Sequence, residues 1–136
     1  LLLQKRGGEE KYVQEVKFEP GKDEQREEQL YDLARQISES IKNKKFADAR
    51  AALAKMRKIE RDVRYIKFIN AEYDLYELLI ESFEAGKTYK ELLDTRKRGE
   101  IHVIFYSGVA TNDPKEEEIR MRAMIVMSSL DDGSVK

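Results

Sequence analysis

Two stripes of apolar residues at helical spacing, separated by only a few residues, constrain this chain more than any other feature. Leu30, Leu33, Ala34, Ile37 and Ile41 recur at intervals of three and four. Phe46, Ala49, Leu53, Met56, Val63 and Ile66 then resume the pattern. Residues so spaced share one face of an α-helix. The stretch 43–46 is too short for anything but a reversal, so helices over 23–43 and 46–68 are expected to pack as an antiparallel hairpin. Asp23 opens the first helix with Glu24, Glu27 and Glu28 in its early turns, where the positive end of the helix dipole favours acids. Asn43 is the expected left-handed terminus.

The rest of the chain extends the hairpin into a small bundle. Ile69, Tyr73, Tyr76, Ile80 and Phe83 share one face of a third helix, with Leu75, Leu78 and Leu79 on others. An apolar surface that broad implies burial against more than one neighbour. Asn70 is a candidate cap for this helix, unless it runs on from the second, and Gly86 its terminus. Thr88 and Glu91 form a capping box that opens a short helix ending before Gly99. Asp113, Pro114 and Glu116 to Glu118 give a strong start for a last helix that buries Ile119, Ala123, Val126, Met127 and Leu130. The alternation Ile119-Arg120-Met121-Arg122-Ala123 also fits a strand, but the start signals favour helix. Short strands are expected over 11–18, closed by Pro20-Gly21, and over 100–106, where EIHVIFY is dense in β-branched and aromatic residues. The fold class is therefore mainly α: a hairpin or bundle of four to five helices with one or two short strands. Residues 1–22 read as a tail with Gly7-Gly8 as a flexible joint, 23–130 as the helical domain and 131–136 as a second tail.

Phe46, Ala49, Leu53 and Met56 are similar to the second helix of a tetratricopeptide repeat. The first helix is out of phase with that repeat's small–large pattern, no proline ends the unit, and no copy follows about 34 residues on. The pair reads as a generic helical hairpin.

Composition excludes whole classes of chemistry. With 136 residues the chain is long enough for one core. It has no cysteine, which removes disulfides, thiolate metal sites and cysteine nucleophiles. His102 is the only histidine and has no second imidazole with which to hold a metal. No apolar run approaches the ~20 residues of a membrane span, and Leu1-Leu2-Leu3 meets Lys5 and Arg6 too soon for an intact signal peptide. A soluble compartment, cytoplasm or organelle interior, is expected. Gly86-Lys87-Thr88 ends like a phosphate-binding loop but lacks its earlier glycine and preceding strand. No motif calls for a cofactor, and no pair of carboxylates is fixed for acid–base work.

The distinctive feature is charge segregation. Residues 42–67 carry ten basic side chains against Asp48, Glu60 and Asp62, a net +7, although the whole chain is at -1. On a continuous helix Arg50, Arg57, Arg61 and Arg64 fall within about 60° of one another. They form a candidate site for an acidic partner segment, phosphate or nucleic acid, with Tyr65 as a stacking surface. Residues 68–86, however, carry five acids and no base, so neutralisation inside the fold is the preferred account. Tyr73 and Tyr76 are most simply core or rim residues of the third helix; they are also candidate interface anchors, each joining a large apolar body to a polar tip. The expectation is a non-enzymatic protein–protein interaction module or accessory subunit, with a protein partner or a second copy of the chain. A nucleic-acid-binding or regulatory protein using the basic second helix is the alternative.

Overall fold

The computed structural model describes residues 2–6, 9–13, 23–87 and 113–130. Among these the chain is mainly helical. Helix α1 runs Asp23–Lys42, α2 Phe46–Arg57, α3 Ile66–Glu84 and α4 Pro114–Leu130, with a 3-10 turn at Val63–Tyr65. Helix α3 lies at the centre and packs against each of the other three. Its sequence explains the position: Leu75, Tyr76, Leu79 and Ile80 are all buried although they point in several directions around the axis. Helix α1 buries Leu30, Ala34, Ile37 and Ile41, the stripe that its spacing predicts, and α4 buries Ile119, Ala123, Val126, Met127 and Leu130. Each large apolar side chain so enclosed contributes roughly 1.5–3 kcal/mol.

The two reversals at helix ends are the same motif built from different residues. After α1, the Lys45 amide donates to the Ser40 carbonyl at 2.8 Å and the Lys44 amide to the Ile41 carbonyl at 3.0 Å. After α3, Lys87 donates to Ser82 and Gly86 to Phe83, both at 3.0 Å. Both are Schellman caps, which need a left-handed residue just past the helix. Gly86 takes that place at φ 81°, and Lys44 takes the other at φ 59°. Asn43, the expected left-handed residue, instead closes the helix one position earlier, donating its amide to the Glu39 carbonyl.

Helix α2 stops at Arg57, well short of 68. No proline or glycine ends it. Its last turn tightens, with the Lys58 amide donating to the Lys55 carbonyl and the Ile59 amide to the Met56 carbonyl. Further on, Asp62 accepts the Arg64 amide at 3.0 Å and caps the 3-10 turn from which α3 starts at Ile66. Asn70 is consequently a buried residue of the second turn of α3, not a cap, and its Nδ2 has no hydrogen-bond partner. Before α4, Asp113 caps as expected, accepting the Lys115 amide at 2.9 Å.

Of the expected strands, 100–106 and the part of 11–18 beyond Val13 lie outside the described residues, as do Gly7 and Gly8 and the helix expected after Thr88. The strand pairing that is described differs from expectation. Leu2–Arg6 (β1) pairs antiparallel with Glu9–Val13 (β2), from Leu2 opposite Val13 to Arg6 opposite Glu9. Only two residues separate the strands, and a Gly-Gly pair at that place is a hairpin signal.

The paired caps make a clean comparison. A left-handed residue with a Cβ costs roughly 1–2 kcal/mol, and a Cβ at Gly86 would meet nothing within 4 Å. Lys44→Gly is expected to raise, and Gly86→Ala to lower, the unfolding free energy by about 1 kcal/mol each in urea denaturation.

Candidate functional site

The sequence-derived arginines all have carboxylate partners, and three of them form a ladder to α3. Arg50 makes a two-pronged contact with Glu84, including Nη1 to Oε2 at 3.0 Å. Arg57 donates to Glu77 at 3.1 Å and Arg61 to Glu72 at 3.0 Å. Arg50 and Arg57 are seven residues apart, as are Glu77 and Glu84, so two antiparallel helices meet every second turn with opposite charges. Arg64 folds back on Asp62. Arg61 and Arg64 follow the end of α2, so the four arginines do not share one helix face.

The candidate tyrosines are positioned by the same contacts. Tyr65 donates its hydroxyl to Asp113 at 2.9 Å, tying the 3-10 turn to the start of α4. Tyr73 is enclosed, donates to the Met56 carbonyl at 3.2 Å, and carries the Arg57 and Arg61 guanidiniums over its ring at 5.4 and 5.5 Å. Tyr76 is fully enclosed and donates to Glu72 at 2.7 Å. Neither Tyr73 nor Tyr76 reaches the surface of this chain, because α3 is the central helix.

The centre of the charge system is a cluster that the sequence did not single out. Glu72 and Arg122 are both 0 % exposed. Arg122 Nε donates to Glu72 Oε2 at 2.6 Å and Nη2 to Oε1 at 2.9 Å. Its third nitrogen, Nη1, donates to Glu27 of α1 at 2.6 Å, and its guanidinium lies 5.3 Å from the Tyr31 ring centre. Lys115 bridges Glu27 at 3.4 Å and Glu118 at 3.1 Å. One carboxylate thus receives two arginines and a tyrosine, joining α3, α4 and the α2–α3 connection, while Glu27 adds α1. Its signal lies in the spacing. Glu72 shares a helix row with Ile69, Tyr76 and Leu79, and Arg122 with Ile119 and Val126, so each is a charge on an apolar face.

Electrostatics follow from this geometry. Burial pushes the Glu72 carboxyl up, but Arg122 and Arg61, with the hydrogen bonds from Arg122 and Tyr76, outweigh it and hold the group at about 2. Burial pulls Arg122 down, and its contacts with Glu72 more than reverse this. Burial, reinforced by the Glu72 charge, pushes Tyr76 well above the usual phenol value. Glu72 is therefore a fully ionised carboxylate with both oxygens engaged at neutral pH, which suits it to holding helices.

The cavity beside the cluster is about 20 Å³, lined by Arg26, Glu27, Glu60, Arg61, Asp62 and Lys115 among others. That is room for about one water. Two open grooves are larger: about 240 Å³ between α2 and α3, edged by Arg50, Arg57 and Glu77, and about 380 Å³ between α1 and α2, edged by Glu39, Lys45, Asp48 and Lys55. Among the described residues no group of histidine and carboxylate side chains is arranged to hold a metal ion, and no helix is long and apolar enough to cross a membrane. Comparison with protein-family models, curated proteins and solved structures found no match to this chain.

Removing one partner of a buried pair leaves an uncompensated charge, which costs about 3–5 kcal/mol. Arg122→Met is expected to lose that much stability in guanidinium denaturation, whereas Arg57→Met, at a half-exposed pair, loses less than about 1 kcal/mol. The Glu72 carboxyl falls from its ordinary 4.5 to about 2 on folding. Its contribution is therefore complete above pH 4.5 and lost as the pH drops toward 2. Unfolding free energies measured across that window should fall steeply for the natural chain and less steeply for Glu72→Gln.

Proposed function

We propose that the protein is a non-enzymatic interaction module, an accessory or regulatory subunit whose outer α4 face meets the apolar surface of a protein partner. The observation that carries this is where exposed apolar side chains lie. Among the described residues the large ones are Val63, Met121, Met124 and Ile125. The last three are at positions i, i+3 and i+4, on one face of α4. Isolated exposed apolar residues need no explanation, but a contiguous group is the usual mark of an interaction surface. Methionine suits such a surface because its flexible thioether adapts to the shape it meets.

The charge pattern supports a protein partner over nucleic acid. Phosphate binding at Arg50, Arg57 and Arg61 requires displacing Glu84, Glu77 and Glu72, and the net charge of -1 supplies no attractive field.

The test compares variants that remain folded. Ile125 is 54 % exposed, so Ile125→Glu changes stability by no more than about 0.5 kcal/mol. It is expected to weaken partner binding at least about tenfold in a pulldown titration, the loss typical of an interface anchor. Arg50→Gln with Arg57→Gln is expected to leave binding unchanged. Oligonucleotide binding at low salt that disappears in the arginine variant and persists in Ile125→Glu would replace this assignment with the nucleic-acid one.

A further inference from the structure

From Ile119 to Leu130, helix α4 carries apolar side chains on its outer side as well as its inner side. Ile119, Ala123, Val126, Met127 and Leu130 face the bundle, while Met121 at 44 %, Met124 at 38 % and Ile125 at 54 % exposure face outward. At about 100° per residue, Met124 projects within about 60° of both Met121 and Met127, so the two apolar sectors lie side by side with Arg120 between them. A helix patterned in this way can turn about its own axis and still bury apolar surface, so burial alone does not choose one rotation. A charge can choose, because only one rotation brings it to its partners. Arg122 meets Glu72 of α3 and Glu27 of α1 at once, with contacts of 2.6 to 2.9 Å.

We propose that the Glu72–Arg122–Glu27 cluster is a rotational lock on α4, selecting which apolar sector faces the bundle and so holding Met121, Met124 and Ile125 at the surface. The two observations behind it are independent: the apolar pattern of α4, and a fully enclosed arginine gripped from two other helices. Rotating α4 by one residue's angle takes Arg122 out of the seam between α1 and α3 and leaves Glu72 without two of its four donors. Buried polar groups that fix register in this way act on the choice among packings more than on total stability. The lock does not depend on whether any partner uses the outer face.

The chain carries its own reporters. Its four methionines are Met56 inside α2, Met127 on the inner side of α4, and Met121 and Met124 on the outer side. Sulfoxide formation by peroxide follows exposure, and mass spectrometry reads each site separately. In the natural chain Met121 and Met124 should oxidise on the order of tenfold faster than Met127 and Met56.

The variant Glu72→Gln with Arg122→Met removes the lock while keeping side-chain volume and leaving a hydrogen-bonding amide for Arg61 and Tyr76. The expected result is a Met124-to-Met127 rate ratio collapsing to within about two- to threefold while Met56 stays protected. Retention of the natural ratio with Met56 protected overturns the proposal. Should Met56 lose protection, so that the double variant is unfolded, Arg122→Lys is read in its place. It keeps the cation but loses the paired contact, and there a reduced ratio supports the lock and an unchanged ratio overturns it.

Discussion

A carboxylate shut away from water must be answered by donors on every side, and Glu72 sets that condition for the whole bundle. Its two oxygens take Arg61, Arg122 twice and Tyr76. Meeting them fixes the α2–α3 connection, which must bring Arg61 inward, and the placement of α4, which must present Arg122. Glu27 then brings in α1 through the remaining face of Arg122. An isolated buried charge is among the most costly things a fold can contain, and a saturated one constrains geometry in proportion. The apolar stripes drive the helices together, whereas the cluster determines which of several similar packings results.

Charge segregation along the chain follows the same logic at lower stakes. The +7 segment and the −5 segment are consecutive and antiparallel, so Arg50, Arg57 and Arg61 meet Glu84, Glu77 and Glu72 in reverse order. The outer rungs are half exposed and contribute little to stability, but they favour this pairing of α2 with α3 over any shifted one. Basic residues that form a stripe in one dimension each meet a carboxylate in three, with only Arg61 drawn inside the fold.

What the sequence made legible was whatever depends on near neighbours. The starts of α1 and α4 follow from their early acids and, for α4, from Asp113, and the reversal over 43–46 follows from its brevity. The end of α2 was hidden because no proline or glycine marks it, and Asp62, which caps the next turn, lies beyond the point where the helix has already stopped. Arg122 was hidden by the alternation Ile119-Arg120-Met121-Arg122-Ala123, which spreads charge evenly and disguises the one arginine in line with Ile119 and Val126. Glu72 was counted among five acids of α3 although it stands in the row of Ile69, Tyr76 and Leu79. Opposite charges on two apolar rows are the signal to look for, since burial asks for a partner. Tyr73 and Tyr76 take the core positions that are their simplest reading, because α3, with apolar residues on several sides, is surrounded.

Glu72 stays ionised in the core because Arg122 and Arg61 hold it so. The direct measurement is the pH titration of the Glu72 side-chain carboxyl carbon by ¹³C NMR in the folded protein. The resonance should remain at the carboxylate position through pH 4.5 and change only near 2, or with acid unfolding. A carboxyl that titrates at about the ordinary value while the fold is intact would mean that the cluster does not form as described.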